Sequence, residues 1–173
     1  MRSRMALEQA KRQAMTDYIS ANMKKGEDYG VIAFKRRDGS STESKPTLFK
    51  PGSEKFCSLF GLRPVFRADV ETLGMLGNKP GVVAFICELM TREDKIVGEG
   101  RGVADLAEKQ GWTMNNAVKI AEKRAQIDAV LRTGGLSDFF TQDLEDQPAD
   151  ETPKPSPTAP VQEYKISQPQ MAK

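Results

Sequence analysis

Residues Thr113–Gly134, TMNNAVKIAEKRAQIDAVLRTG, form the longest uninterrupted helical pattern in the chain. Thr113 or Asn115 can cap its start. Gly134-Gly135 ends it, because glycine readily adopts the left-handed conformation at a helix C-terminus. At about 100° per residue, Ile120, Ile127 and Leu131 fall on one stripe, with Met114, Ala117, Ala121 and Ala125 beside it. Lys119 and Lys123 stand one turn apart on the opposite side. Arg124 does not join them; it projects within about 60° of the apolar stripe. A guanidinium there needs an anion, since a charge buried without a partner is strongly destabilising. Three partners are available: Asp128 one turn on, a carboxylate from elsewhere in the fold, or a phosphate from outside. Taken alone, such a helix is a solvated face carrying an ordinary Arg124–Asp128 pair.

Immediately upstream, Lys95–Ala104 contains VGEGRGV, with Gly98, Gly100 and Gly102 at period two. They share one strand face and leave it bare, so another backbone must approach closely, and the Ala117/Ala121/Ala125 row supplies one. Glycines spaced along a strand are not a phosphate loop before a helix, which excludes a Walker or dinucleotide motif. Glu99 and Arg101 point the other way. VVAFICELM (82–90) is apolar on both faces and reads as a central strand, with Arg92 and Lys95 in and after the turn that follows. PVFRADVETL (64–73) alternates, with Phe66, Ala68 and Val70 on one face and Arg67, Asp69 and Glu71 on the other, the pattern of a sheet wet on one side. GNKPG turns the chain between them.

Further upstream, SEKFCSLFG reads as a short helix capped by Ser53 and ended by Gly61. Residues 27–51 suggest a hairpin, with one strand around Tyr29–Lys35, a turn at Asp38–Ser41 and a return around Pro46–Phe49. Lys35, Arg36 and Arg37 stand at its tip, with Lys45 and Lys50 on the return. Residues 4–24 read as a helix. After the long helix, LSDFFTQDLED suggests a short helix capped at Ser137. The pattern as a whole is α+β: a β-hairpin plus a three-stranded antiparallel meander packed against a long C-terminal helix. It divides into an N-terminal helix (1–25), a core domain (26–146) and an acidic, Pro-rich tail (147–173) too poor in apolar residues to fold.

Histidine is absent, which excludes Ser-His-Asp and Cys-His nucleophiles. Cys57 and Cys87 sit in apolar stretches and read as reduced core thiols. Glu88 lacks a lysine two positions on, so the usual carboxylate-and-lysine nuclease triplet is missing, and no enzyme activity, catalytic residue or cofactor is expected. No apolar run approaches membrane-spanning length and the N-terminus has no apolar signal core, so a cytoplasmic protein is expected. Residues 141–173 carry six acids and three bases, leaving 23 bases and 18 acids on residues 1–140. A mildly basic body with an acidic tail fits a nucleic-acid binder.

GSEKFCSLFGLRPVF, then VVAFICELM–turn–KIVGEGRGVAD, then NNAVKIAEKRAQIDAVLRTGG resemble segments of the single-strand annealing superfamily, meaning the Rad-fifty-two type core and its bacterial and phage relatives, including the DdrA group. LFKPGSEKFCSLFGL with KRAQIDAVL…SDFFTQDLED is similar to a phage and prophage branch. The resemblance covers about residues 25–146. It implies a ββ…βββα annealing-protein core that assembles with copies of itself into rings or filaments, with single-stranded DNA in a basic groove between the meander and the long helix. Lys123 and Arg124 match the family's Lys-Arg pair and inherit phosphate binding. Lys119, Arg132 and Arg101 join them, and Lys95, Arg92, Lys50, Arg36 and Arg37 complete the expected contacts. The chain departs from the family in being only modestly basic and short of aromatic residues for base stacking in its meander. The implied activity is annealing of complementary strands in recombination and repair. The tail is a candidate docking peptide for a host single-strand binding protein or another recombination factor. The competing expectation is a non-annealing module reading duplex DNA or RNA by shape.

Overall fold

The computed structural model describes residues 2–31, 33–35, 41–43 and 46–141. Helix α1 (Arg2–Asn22) comes first. Two short ladders follow, β1 (Tyr29–Gly30) with β4 (Thr47–Leu48) and β2 (Ala33–Lys35) with β3 (Ser41–Glu43), both antiparallel. Tyr29 lies opposite Leu48 and Ala33 opposite Glu43, as a hairpin requires; its tip, with Arg36 and Arg37, lies outside the described residues.

Helix α2 (Lys50–Phe60) begins three residues before the expected cap. Phe49 is the N-cap, Pro51 occupies the first turn, where its missing N–H costs nothing, and Gly61 ends the helix at φ 64°. Ser53 is instead buried inside α2, donating to the Lys50 carbonyl at 2.7 Å and accepting from Gln126 at 3.1 Å.

The main sheet is a meander of order β5 (Arg63–Ala68), β6 (Val82–Met90), β7 (Ile96–Asp105), all antiparallel. β6 is central, and Ala84, Ile86, Cys87 and Leu89 are buried on its two faces. The expected strand over 64–73 stops early. Asp69 turns its carboxylate onto the Thr72 N–H at 3.0 Å and hydroxyl at 2.7 Å, capping a short helix α3 (Val70–Met75). Val70 is consequently 75% exposed rather than part of a sheet face. The Asp69 N–H still reaches the Ala84 carbonyl, so odd residues of β5 face β6 and Pro64 faces outward, where its lack of an N–H is harmless.

Helix α4 (Met114–Thr133) lies on the glycine face, running opposite to β7. Thr113 caps it through the Asn116 N–H, and Asn116 returns the bond to Thr113; Asn115 plays no capping part. A Cβ on Gly100 would fall 2.6 Å from the Ala125 carbonyl oxygen and from Ala129 Cα, and one on Gly102 would meet the backbones of Ala121 and Ala125. The strand glycines thus let two backbones meet, and Ala117, Ala121, Ala125 and Ala129 are fully buried. Gln126, Ile127, Val130 and Leu131 continue the core toward α2 and toward Leu136 and Phe140. Gly135, at φ 60°, leads into a 3-10 turn over Leu136–Asp138, so Ser137 does not cap it. The expected helix does not continue through Phe139–Thr141, because Thr141 bridges to Thr47 and its N–H reaches the Pro46 carbonyl at 2.7 Å; residues 142–146 lie outside the described residues. Met15, Tyr18 and Ile19 dock α1 on this core, while Met5 and Leu7 are exposed. Cys57 and Cys87 are free and buried. Among the described residues no helix is long and apolar enough to cross a membrane.

Candidate nucleic-acid interface

The expected DNA contacts fall into three groups. Arg124 sits beside β7 and is held by Glu108 through two hydrogen bonds, at 2.8 and 2.7 Å, with a third to the Val103 carbonyl at 2.6 Å. Of the three partners the sequence allows, the fold supplies a distant carboxylate. Asp128 serves others, accepting from the Arg101 N–H at 2.9 Å and from Arg132 at 2.8 Å. Hydrogen bonds from Arg124 hold the Glu108 carboxyl below its ordinary range.

These contacts share a cause. β7 is an edge strand, and the register that pairs Gly100 with Cys87 turns the backbone groups of Arg101, Val103 and Asp105 away from the sheet. Each meets a charged side chain: the Arg101 N–H meets Asp128, the Val103 carbonyl meets Arg124, and the Asp105 N–H meets Glu108 at 2.9 Å. Charged groups from α4 and the 3-10 turn over Leu106–Glu108 therefore close this part of the edge to strand addition.

The second group is on the opposite face of the sheet. Arg101 points away from α4 and pairs with the buried carboxylate of Asp69 at 2.8 Å, and with Glu71 at 3.4 Å. Burial raises the Asp69 pKa, but hydrogen bonds from Thr72 and the charge of Arg101 outweigh it and hold the carboxyl below its usual value. Arg67 beside it pairs with Glu88 at 2.7 Å. The sheet separates Arg101 from the lysines of α4, so one channel cannot use both. Lys50 pairs with Glu54 at 3.4 Å along α2.

The third group makes no ion pair among the described residues. Lys119 and Lys123 make no ion pair among the described residues; they stand on the side of α4 turned away from the Ala121/Ala125 row. Lys109, which the sequence reading passed over, is exposed, follows Glu108 directly and makes no ion pair among the described residues. Arg92 and Lys95 are also exposed and unpaired among the described residues, but the antiparallel run of α4 on β7 puts them past its C-terminal end. That is roughly 15–20 Å along the helix axis from Lys119 and Lys123. Arg36 and Arg37 lie outside the described residues.

A cleft of about 960 Å³ opens between α1, the end of α2 and the end of α4, lined by Met15, Tyr18, Phe60, Leu62 and Phe139 among others. None of the expected DNA contacts lines it. No family model, curated protein or solved structure matches the chain.

Proposed function

We propose that this protein binds single-stranded DNA non-specifically through its phosphate backbone and promotes annealing of complementary strands in recombination and repair, as an oligomeric ring or filament of an annealing-protein core. The observation that carries this reading is the outer face of α4. There Lys119 and Lys123 present two ammonium groups one turn apart, unpaired among the described residues, on a helix backed by an antiparallel meander. Lysines without carboxylate partners are available to phosphates, and each phosphate neutralised releases counterions, giving affinity that is indifferent to sequence and strongly dependent on salt. A strand held by its backbone leaves its bases free to pair with a complement, so the protein needs only to gather and extend the strands. Two contacts per subunit are few, and repetition across an assembly multiplies them. The closed stretch of β7 at Arg101–Asp105 directs assembly to other surfaces, such as the β5 edge, where Phe66 and Ala68 turn their N–H groups away from β6. The 147–173 tail remains the proposed docking segment for a recombination partner.

The test is fluorescence-anisotropy titration with a labelled single strand and its duplex, alongside an annealing assay with complementary oligonucleotides. Lys119→Ala with Lys123→Ala should flatten the dependence of log K on log salt by about 1.4, roughly 0.7 per lost contact, and slow annealing. Arg124→Ala is the wrong probe, because it also uncovers Glu108 and the Val103 carbonyl. A preference for duplex, or unchanged binding in the lysine variant, overturns the proposal.

A further inference from the structure

We infer that Glu108 is a built-in competitor for phosphate at Arg124, an autoinhibitory contact that sets how tightly a strand is held; this rests on the single-strand-binding reading above. Among the described residues, the guanidinium is held by partners of two different kinds. Nη1 donates to the Val103 carbonyl at 2.6 Å and to Glu108 Oε1 at 2.8 Å, so the backbone fixes its position. Nη2 donates to Glu108 Oε2 at 2.7 Å. A carboxylate and a phosphate present the same pair of oxygens to such a fork, so one can replace the other with Nη1 still anchored.

The pair is accessible to a strand. The Arg124 side chain is 40% exposed and that of Glu108 34%. An ion pair so exposed is worth little, and a polyanion already engaged by Lys119 and Lys123 can displace its carboxylate. Glu108 is also held from the other side, because Oε1 accepts the Asp105 N–H at 2.9 Å and completes a capping box with Asp105. Releasing Nη2 therefore need not dismantle the turn. Lys109, next in the chain, is exposed and makes no ion pair among the described residues. The arrangement holds Arg124 oriented but occupied until a strand arrives.

The experiment compares wild type, Glu108→Gln, Glu93→Gln and Glu108→Gln combined with Arg124→Lys, titrating fluorescein-labelled oligothymidylate over a range of salt. The amide introduced by Glu108→Gln keeps an oxygen for the Asp105 N–H and for Nη1 but sets an NH₂ against Nη2. Glu93, exposed on the β6–β7 turn, controls for loss of one negative charge. Glu108→Gln should bind about two- to fivefold tighter than wild type, the worth of one exposed ion pair. Its salt dependence should steepen by about 0.7, one added phosphate contact. The gain should vanish in the Arg124→Lys background, where the fork is gone. A gain no larger than that of Glu93→Gln, or one that survives Arg124→Lys, overturns the inference while leaving the function standing. Wild type and Glu108→Gln both failing to bind overturns both. A Glu108→Gln variant melting well below wild type assigns Glu108 a structural role and likewise overturns it.

Discussion

Replacing Gly100 by alanine tests the packing on which the fold depends. The new Cβ would lie 2.6 Å from both the Ala125 carbonyl oxygen and Ala129 Cα, and closer still to the Ala129 nitrogen. All three are backbone atoms of one helix, so no rotamer change relieves the contact, and α4 must lift from the sheet by roughly 1 Å to restore ordinary van der Waals distance. Overpacking of this kind costs about 1–3 kcal/mol. For a domain of this size that lowers Tm by roughly 4–12 °C. Gly74 provides the matched control: it lies in α3 with nothing within 4 Å of its virtual Cβ and no positive φ. Gly74→Ala should raise stability by about 0.4–1 kcal/mol, through a less flexible unfolded chain and better helix propensity. Thermal melts at fixed protein concentration, followed by circular dichroism and by Trp112 fluorescence, read both. Gly100→Ala melting with or above wild type would refute the close backbone approach of α4 to β7.

Two further outcomes are expected. Stability should be flat from about pH 5 to 8, since no histidine titrates there. It should fall below about pH 4: Asp28 and Asp69 are held below the ordinary carboxylate value, so the unfolded state takes up protons first and stability present above that pH is lost as the groups protonate. It should fall again above about pH 9, because burial pushes the Cys57 thiol up to about 11 and the Cys87 thiol up to about 12, from 9.0. Urea midpoints across pH check this, and a transition centred near neutrality would contradict it. Thr133→Val should stabilise by about 1 kcal/mol, because the Thr133 hydroxyl is buried without a hydrogen-bond partner among the described residues. An equal or lower urea midpoint would show that the hydroxyl is satisfied in solution.

Much of the fold was legible because its signals are local. The long helix, the central strand VVAFICELM and the fit of Gly100 and Gly102 against an alanine row follow from periodicity and side-chain volume, which neighbouring residues determine by themselves; the third glycine, Gly98, meets Thr133 instead. Where two local signals competed, the pattern misled. Alternation carried the strand reading past Ala68, but a carboxylate three residues before Thr72 ended it, because an N-cap satisfies helix donors that a strand would leave to its neighbour.

The site was less legible. The sequence alone determined that Arg124 stands apart from Lys119 and Lys123 and requires an anion. It could not choose Glu108, which lies 16 residues away, or Asp69 for Arg101, 32 residues away. Charges pair according to distance in space, and that distance exists only once α4 lies antiparallel on β7 and α3 closes over the other face of the sheet. Tertiary structure therefore decided which cations serve the protein's own edges and which remain open to a ligand.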